Sequence, residues 1–124
     1  DVMAAIFSHR RASPYHWGDG GRGWPLAQCD AFEVKEEEIA AGCSERLHKH
    51  KRVSQSYYIL SGEAQVTIDG RVARLASADC VMIAAGSAHM IANQSDMPLR
   101  LLVMSAPPVG NDRTDIEIYE QDNG

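Results

Sequence analysis

GCSERLHKHKRVSQSYYILSG, residues 42–62, is the stretch of this 124-residue chain that decides its fold. His48 and His50 stand two residues apart, so on a strand, where side chains alternate between faces, both project to the same side. Gln55 follows a short turn that would bring the next strand back alongside. His89 lies further along, in a second strand-like stretch. A closed β-barrel is the simplest fold that brings these four side chains together.

The same four side chains have the chemistry of a metal site. A lone histidine is more often a structural residue than a ligand, but three at this spacing with a glutamine are a different matter. Imidazole nitrogen and amide oxygen suit divalent zinc, nickel, manganese or iron better than calcium. The sequence therefore predicts one divalent transition metal held by His48, His50, Gln55 and His89.

A second stretch, ADCVMIAAGSAHMIAN at residues 78–93, completes a resemblance to a known family. The first stretch resembles the first motif of the cupin superfamily, with Gln55 where the family usually has glutamate. The second resembles the other cupin motif, although Ala78 and Ala84 replace its usual glycine and proline. The positions that fit this second motif are Gly86, His89 and Asn93.

Membership of the cupin superfamily, in its small single-domain type-2 form, implies a fold and an assembly. The implied fold is all-β: a single-domain jelly-roll barrel of six to eight antiparallel strands with one metal at its centre. The resemblance also implies a homodimer, often built by exchanging or pairing terminal strands.

Composition agrees with one ordinary globular domain. The hydrophobic share is 44% and the charged share 23%, both usual values for globular proteins. The net charge of −5 argues against a nucleic-acid partner, for which a basic patch is expected. No apolar run approaches the ~20 residues of a membrane span. Three cysteines without a C-x-x-C pair favour a reducing cytoplasm over a disulfide framework.

Three regions are predicted along the chain. Residues 1–26 form an N-terminal arm, residues 27–106 form the barrel, and residues 107–124 form a C-terminal tail or edge strand. Trp17 and Trp24 bracket a glycine-rich stretch in the arm. We expect these rings to pack on the outer surface of the barrel or on a second subunit, the alternative being a flap over its mouth.

Two local patterns within the barrel have specific consequences. Residues 64–68 alternate apolar and polar side chains, which predicts a strand, and Asp69-Gly70 then predicts a type I′ hairpin turn. The acidic run Glu36-Glu37-Glu38 is predicted to be a solvated face of an extended segment. In the tail, Ile116, Ile118 and Tyr119 alternate as an edge strand would.

Tyr57 is the candidate catalytic residue. On a regular strand it shares a face with Gln55, so its hydroxyl can reach a substrate bound at the metal as a hydrogen-bond donor or general acid. The alternative is a core tyrosine whose hydroxyl is satisfied elsewhere.

The neutral amide of Gln55 indicates the kind of chemistry. A carboxylate ligand would cancel one charge of the metal, whereas an amide cancels none, so the ion stays a stronger Lewis acid and an oxidised state is less stabilised. This favours an isomerase, cyclase or lyase acting on a small carbonyl or enol substrate. An iron or nickel dioxygenase and a non-catalytic cupin that binds a small ligand are the alternatives, so whether the chain is an enzyme stays open.

Overall fold

A computed structural model describes residues 6–117, which form strands and connecting loops. Within that range there is no helix of the length and hydropathy that a membrane crossing would require. The strands are β1 Tyr15–Trp17, β2 Gly21–Gln28, β3 Glu33–Ile39, β4 His48–Lys49, β5 Ser54–Ser61, β6 Ala64–Ile68, β7 Arg71–Leu75, β8 Cys80–Ile83, β9 His89–Ala92, β10 Leu99–Ala106 and β11 Thr114–Asp115.

The strands form two antiparallel sheets. One sheet has the order β1-β2-β3-β10-β5-β8 and the other has the order β11-β4-β9-β6-β7. Their inner faces enclose an apolar core that includes Ile39, Ile59, Val66, Leu99 and Leu101, all 1% exposed or less. The all-β fold with antiparallel sheets expected from the sequence is confirmed, although the described residues form eleven strands rather than six to eight.

The predicted strand and turn over residues 64–70 are also confirmed. Ala64 and Val66 point into the core, while Gln65 and Thr67 are half-buried. Asp69 and Gly70 follow with φ values of 48° and 82°. A type I′ turn needs positive φ at both central residues, and glycine adopts such a value without steric cost.

The N-terminal region differs from the prediction, because its last part is sheet. The predicted boundary between residues 26 and 27 falls inside β2, which pairs with both β1 and β3. The glycines up to Gly23 hid the start of this strand. Glycine has no side chain, so it adds nothing to the alternation of apolar and polar residues by which a strand is recognised.

At the other end, part of the predicted edge strand is present. Thr114 and Asp115 form β11, which pairs with Lys49 and His48 of β4 at the edge of the second sheet. Of the residues predicted for the strand, Ile116 follows β11 and its N–H donates to the carbonyl of Leu47 at 2.9 Å, while Ile118 and Tyr119 lie outside the described residues.

The two tryptophans have different environments. Trp24 is 3% exposed and lies under the His9 ring, whose centroid is 3.8 Å away. It therefore packs on the outer side of the first sheet, which agrees with the expectation that the tryptophan rings lie on the outer surface of the barrel. Trp17 instead packs against the core and lines an internal cavity, which is closer to the alternative of a cover over the barrel mouth.

The acidic run is not a solvated face, so that prediction was wrong. Glu36 is 8% exposed and accepts hydrogen bonds from Arg100, at 2.6 Å, and from His9. Glu37 turns into the barrel, whereas Glu36 and Glu38 share the outer face, where Glu38 pairs with an arginine of β2. The reason is that alternation puts neighbouring glutamates on opposite faces.

Glu36→Gln is expected to destabilise the protein by about 1–3 kcal/mol at neutral pH, the range for hydrogen bonds to charged groups. Burial alone raises the pKa of Glu36, but the hydrogen bonds from Arg100 and His9 outweigh it and hold that pKa below its usual value. The stabilisation is therefore present at neutral pH and is lost as the pH falls through the lowered pKa of Glu36.

Urea unfolding of both proteins at several pH values measures this difference. Glu63→Gln, at an exposed position, is the matched control and should have almost no effect. If the wild type and Glu36→Gln differed in free energy of unfolding by the same amount at pH 7 and at low pH, the stabilisation could not be assigned to the charged form of Glu36.

Candidate metal centre

The predicted ligands meet at one place between the sheets. His48 on β4 lies directly opposite His89 on β9, and the two ring centroids are 4.2 Å apart. His50 comes one residue after β4, and Gln55 projects inward from β5. All four side chains are buried, with 1–7% of each residue exposed.

Backbone carbonyls fix the tautomer of all three imidazoles. Each ring places Nδ1 against a carbonyl oxygen, so Nδ1 carries the proton and Nε2 presents a lone pair, the arrangement typical of metal-binding histidines. The acceptors are Arg46 at 2.8 Å for His48, Ser87 at 2.9 Å for His89, and Asp112 for His50.

Burial keeps two of these rings neutral. It lowers the pKa of His48 to about 3 and lowers the pKa of His89 as well, with the neighbouring His50 adding to the effect in both. Neutral imidazole is the form that binds metal, so His48 and His89 need not lose a proton at neutral pH to do so.

The site has unmet lone pairs of the kind a cation satisfies. One ligand atom from each histidine lies within 4.8 Å of the others, and His50 Nε2 is buried without a hydrogen-bond partner. His89 Nε2 faces Gln55 Oε1 at 3.1 Å. With the proton on Nδ1, His89 Nε2 is an acceptor, as Gln55 Oε1 is. A cation bound by both atoms removes the repulsion between their lone pairs. The histidine triad therefore fits one metal ion.

Comparison with known proteins agrees with this geometry. Residues 35–105, more than half of the chain, match the sequence model of the cupin domain. The chain belongs to the cupin family.

Relatives of this cupin differ widely in size. It is 32% identical over 83 residues to an uncharacterized protein of Methanocaldococcus jannaschii, covering 67% of this chain and 66% of that one. It is 32% identical over 90 residues to the alginate biosynthesis protein AlgA of Pseudomonas putida, covering 72% of this chain but only 18% of AlgA. Among solved structures it resembles KdgF from Halomonas sp., with a TM-score of 0.79 and 16% identity over 85% of this chain and 94% of that one. This last likeness shows the fold alone.

Three of the candidate ligands of this cupin, His48, His50 and Gln55, line an internal cavity of about 220 Å³. A larger cleft of about 460 Å³ lies on the outside of the second sheet, next to Arg74 and Asp79, and contains none of the predicted site residues. The residues lining the internal cavity include Tyr15, Trp17, Lys35, Glu37, Glu45, His48, His50, Gln55, Tyr57 and Arg113.

Tyr57 lies beside the ligands, as the alternation of β5 predicts. Its hydroxyl has one proton to donate and lies within hydrogen-bonding distance of two acceptors, Gln55 Oε1 at 3.3 Å and Glu45 Oε1 at 3.4 Å. Burial, and then the nearby carboxylates, raise the pKa of Tyr57 well above its usual value, so it stays protonated and acts as a donor. Gln55 Nε2 donates to Ser105 at 3.0 Å, which directs its oxygen toward His89.

Sequence reasoning missed two acids in this cavity. Glu45 accepts a hydrogen bond from the backbone N–H of Ile91 at 3.1 Å, and burial raises its pKa to about 8. Burial raises the pKa of Glu37 to about 7, while Lys35 acts in the opposite direction. The alternation Glu33, Lys35, Glu37, Ile39 was the available signal, because Ile39 marks the inner face.

The C-terminal segment holds His50 in place, which the sequence did not indicate. Beyond the carbonyl that binds His50, the Asp112 carboxylate accepts the N–H groups of Lys51, Arg52 and Val53 at 2.7–3.0 Å. Asp112 thus anchors the whole loop between β4 and β5. The motif residue Asn93 has a comparable structural role, since its amide donates to two carbonyls, those of Ile39 and Met97.

Proposed function

We propose that this cupin is a metal-dependent isomerase, cyclase or lyase acting on a small carbonyl or enol substrate. The observation that carries the proposal is the facing pair of acceptors, His89 Nε2 and Gln55 Oε1, beside the unpartnered His50 Nε2. Zinc, nickel, manganese or iron bound by His48, His50, Gln55 and His89 would polarise a carbonyl or enol oxygen as a Lewis acid.

The donor set favours chemistry without a change of oxidation state. All four proposed ligand groups are neutral, so the ligands themselves contribute no negative charge that would stabilise a more oxidised metal. Tyr57 would turn its one hydroxyl proton from Gln55 and Glu45, its acceptors in the structure, to the substrate oxygen. A small-molecule substrate matches the size of the cavity. The homodimer and the cytoplasmic location expected from the sequence remain predictions.

Elemental analysis of protein purified without an affinity tag or chelator tests the proposal. Close to one equivalent of zinc, nickel or manganese, together with turnover in a screen of enolisable and cyclisable compounds, would support it. Close to one equivalent of iron with oxygen uptake on a catechol, flavonol or diketone would replace it with the dioxygenase. No metal, and none taken up on reconstitution, would leave a binding protein.

Tyr57→Phe is expected to leave the bound metal unchanged and to lower turnover by about 100-fold, the lower range for loss of a positioned proton donor. The phenyl ring keeps the packing but removes the donor to Gln55 Oε1. Metal content and initial rates on the substrate found in the screen measure the two effects.

Tyr58→Phe is the matched control, since Tyr58 is the next residue of β5 and points to the opposite face. Loss of metal from Tyr57→Phe would instead make Tyr57 a support for Gln55. Unchanged turnover would remove it from the reaction.

A further inference from the structure

The glycines of β2 provide a bare backbone on which the aromatic rings of β1 lie. Tyr15 pairs with Gly23, and Trp17 pairs with Gly21. A Cβ at Gly23 would come within 2.1 Å of the Tyr15 ring, and one at Gly21 within 2.2 Å of the Trp17 ring. The two rings therefore occupy the inner face of β2, and both line the cavity of the candidate metal centre.

We call Tyr15, Trp17, Lys35 and Glu37 the hairpin wall, because β1 and β2 form a hairpin and β3 lies beside it. Trp17 Nε1 is buried and has no hydrogen-bond partner among the described residues. The Glu37 carboxyl accepts only a long hydrogen bond of 3.4 Å, from Tyr15. Lys35 Nζ lies 5.5 Å from the centroid of the Tyr15 ring.

These groups have unused hydrogen-bonding capacity inside the barrel. A buried donor such as the Trp17 N–H, or a half-buried carboxyl such as that of Glu37, costs free energy without a full set of partners, and a bound molecule can supply them. The indole N–H needs an acceptor, whereas the Glu37 carboxyl is best served by a donor. A hydroxyl group next to a second oxygen supplies both.

We infer that the hairpin wall recognises a hydroxyl group of the substrate, which donates to Glu37 while a neighbouring substrate oxygen accepts the N–H of Trp17. The inference rests on the proposed function, since the metal would hold the carbonyl or carboxyl oxygens of the same molecule. It narrows the substrate class to small hydroxycarbonyl compounds or hydroxy acids.

The size of the cavity sets an upper limit on such a molecule. Its volume is about 220 Å³, below the ~300 Å³ at which sites for drug-sized ligands begin. At ~30 Å³ for each water-sized group, it has room for roughly seven of them. A compound of three or four carbons with several oxygens fits this space.

Pyruvate and hydroxypyruvate are suitable probes, because they differ by one hydroxyl and both can chelate a metal through their keto and carboxylate oxygens. Calorimetric titration of the zinc-loaded full chain at a pH above the Glu37 pKa of about 7 is expected to show hydroxypyruvate binding at least about tenfold more tightly, as one hydrogen bond to a charged group allows. A site built for a hydroxyl discriminates against the analogue that lacks it.

Two pairs of matched variants locate the selectivity. Glu37→Leu should remove the preference for hydroxypyruvate and leave the pyruvate affinity within about twofold, whereas Glu38→Leu, at the next residue on the outer face, should keep the preference. Bound ligand should also change the fluorescence of Trp17. The response should persist in Trp24→Phe, whose ring lies on the outer side of the sheet, and be lost in Trp17→Phe.

Each result has one consequence. Equal affinity for the two acids, no binding of either at millimolar concentration, or equal behaviour of Glu37→Leu and Glu38→Leu would overturn the inference. Zinc content measured on the same samples distinguishes a failure of this inference from a failure of the proposed function. Bound zinc without selectivity rejects the hairpin wall alone, and selectivity without bound zinc rejects the metal-dependent reaction alone.

Discussion

His50→Ala is expected to lower the affinity for zinc by more than about 100-fold while the barrel stays folded. Removing a residue that only hydrogen-bonds to a metal ligand lowers metal affinity by up to about 100-fold. His50→Ala removes the ligand itself, so the loss should be larger. His50 Nε2 is buried and unpartnered, so the substitution removes only one hydrogen bond of the ring, from Nδ1 to the carbonyl of Asp112. Competition with a chromophoric chelator measures the affinity, and circular dichroism with thermal unfolding measures the fold.

His16→Ala is the control for this experiment. His16 lies on β1 with its side chain exposed, so its removal should change neither zinc affinity nor stability. The loop that carries His50 should survive the substitution, because the Asp112 carboxylate still accepts its three backbone N–H groups. Zinc affinity equal to that of the wild type would exclude His50 as a ligand, whereas unfolding would make the metal structural.

The arrangement of the ligands was largely predictable, because it depends on local geometry and one family pattern. The spacing of two residues places His48 and His50 on one side of the chain, and the short turn before β5 returns Gln55 to the same place. His89 lies opposite His48 only because β4 pairs with β9, and this pairing brings together residues that are far apart in sequence. For that step the resemblance to cupins supplied what periodicity does not.

The rest of the cavity was harder to predict, because identical or small residues hide which face of a strand looks inward. Three consecutive glutamates have the same composition on both faces, so the run by itself does not distinguish Glu37 from Glu38, and the one signal was Ile39, two residues after Glu37. Gly21 and Gly23 carry no side-chain signal at all. Their effect on Tyr15 and Trp17 arises only from the register of the β1–β2 hairpin.

Two C-terminal contributions escaped prediction for a related reason. Asp112 binds the loop before β5 across about sixty residues of sequence, and Arg113 lines the cavity while pairing with Asp115 at 2.8 Å. Neither belongs to a periodic strand. Contacts made by irregular segments depend on the completed barrel, and an alternating pattern does not reveal them.

Gln55→Glu is expected to bind divalent metals at least about tenfold more tightly, a difference of about 1.4 kcal/mol, and to shift the preference toward iron. The carboxylate places a negative charge at the site, which attracts the ion and stabilises its oxidised state. The Ser105 hydroxyl, which accepts a hydrogen bond from Gln55 Nε2 at 3.0 Å, can rotate to donate to the carboxylate. Chelator competition with zinc and, under anaerobic conditions, with ferrous iron measures both affinities.

Gln28→Glu adds the same charge at the exposed end of β2, so it separates a ligand effect from the change in net charge. The reduction potential of bound iron gives a second, independent readout, because a carboxylate ligand lowers it and a distant charge does so only weakly. If Gln55→Glu and Gln28→Glu have the same metal affinity and the same reduction potential of bound iron, Gln55 is not a ligand. The preference for chemistry without oxidation then loses its basis, because it depends on the neutral amide of Gln55.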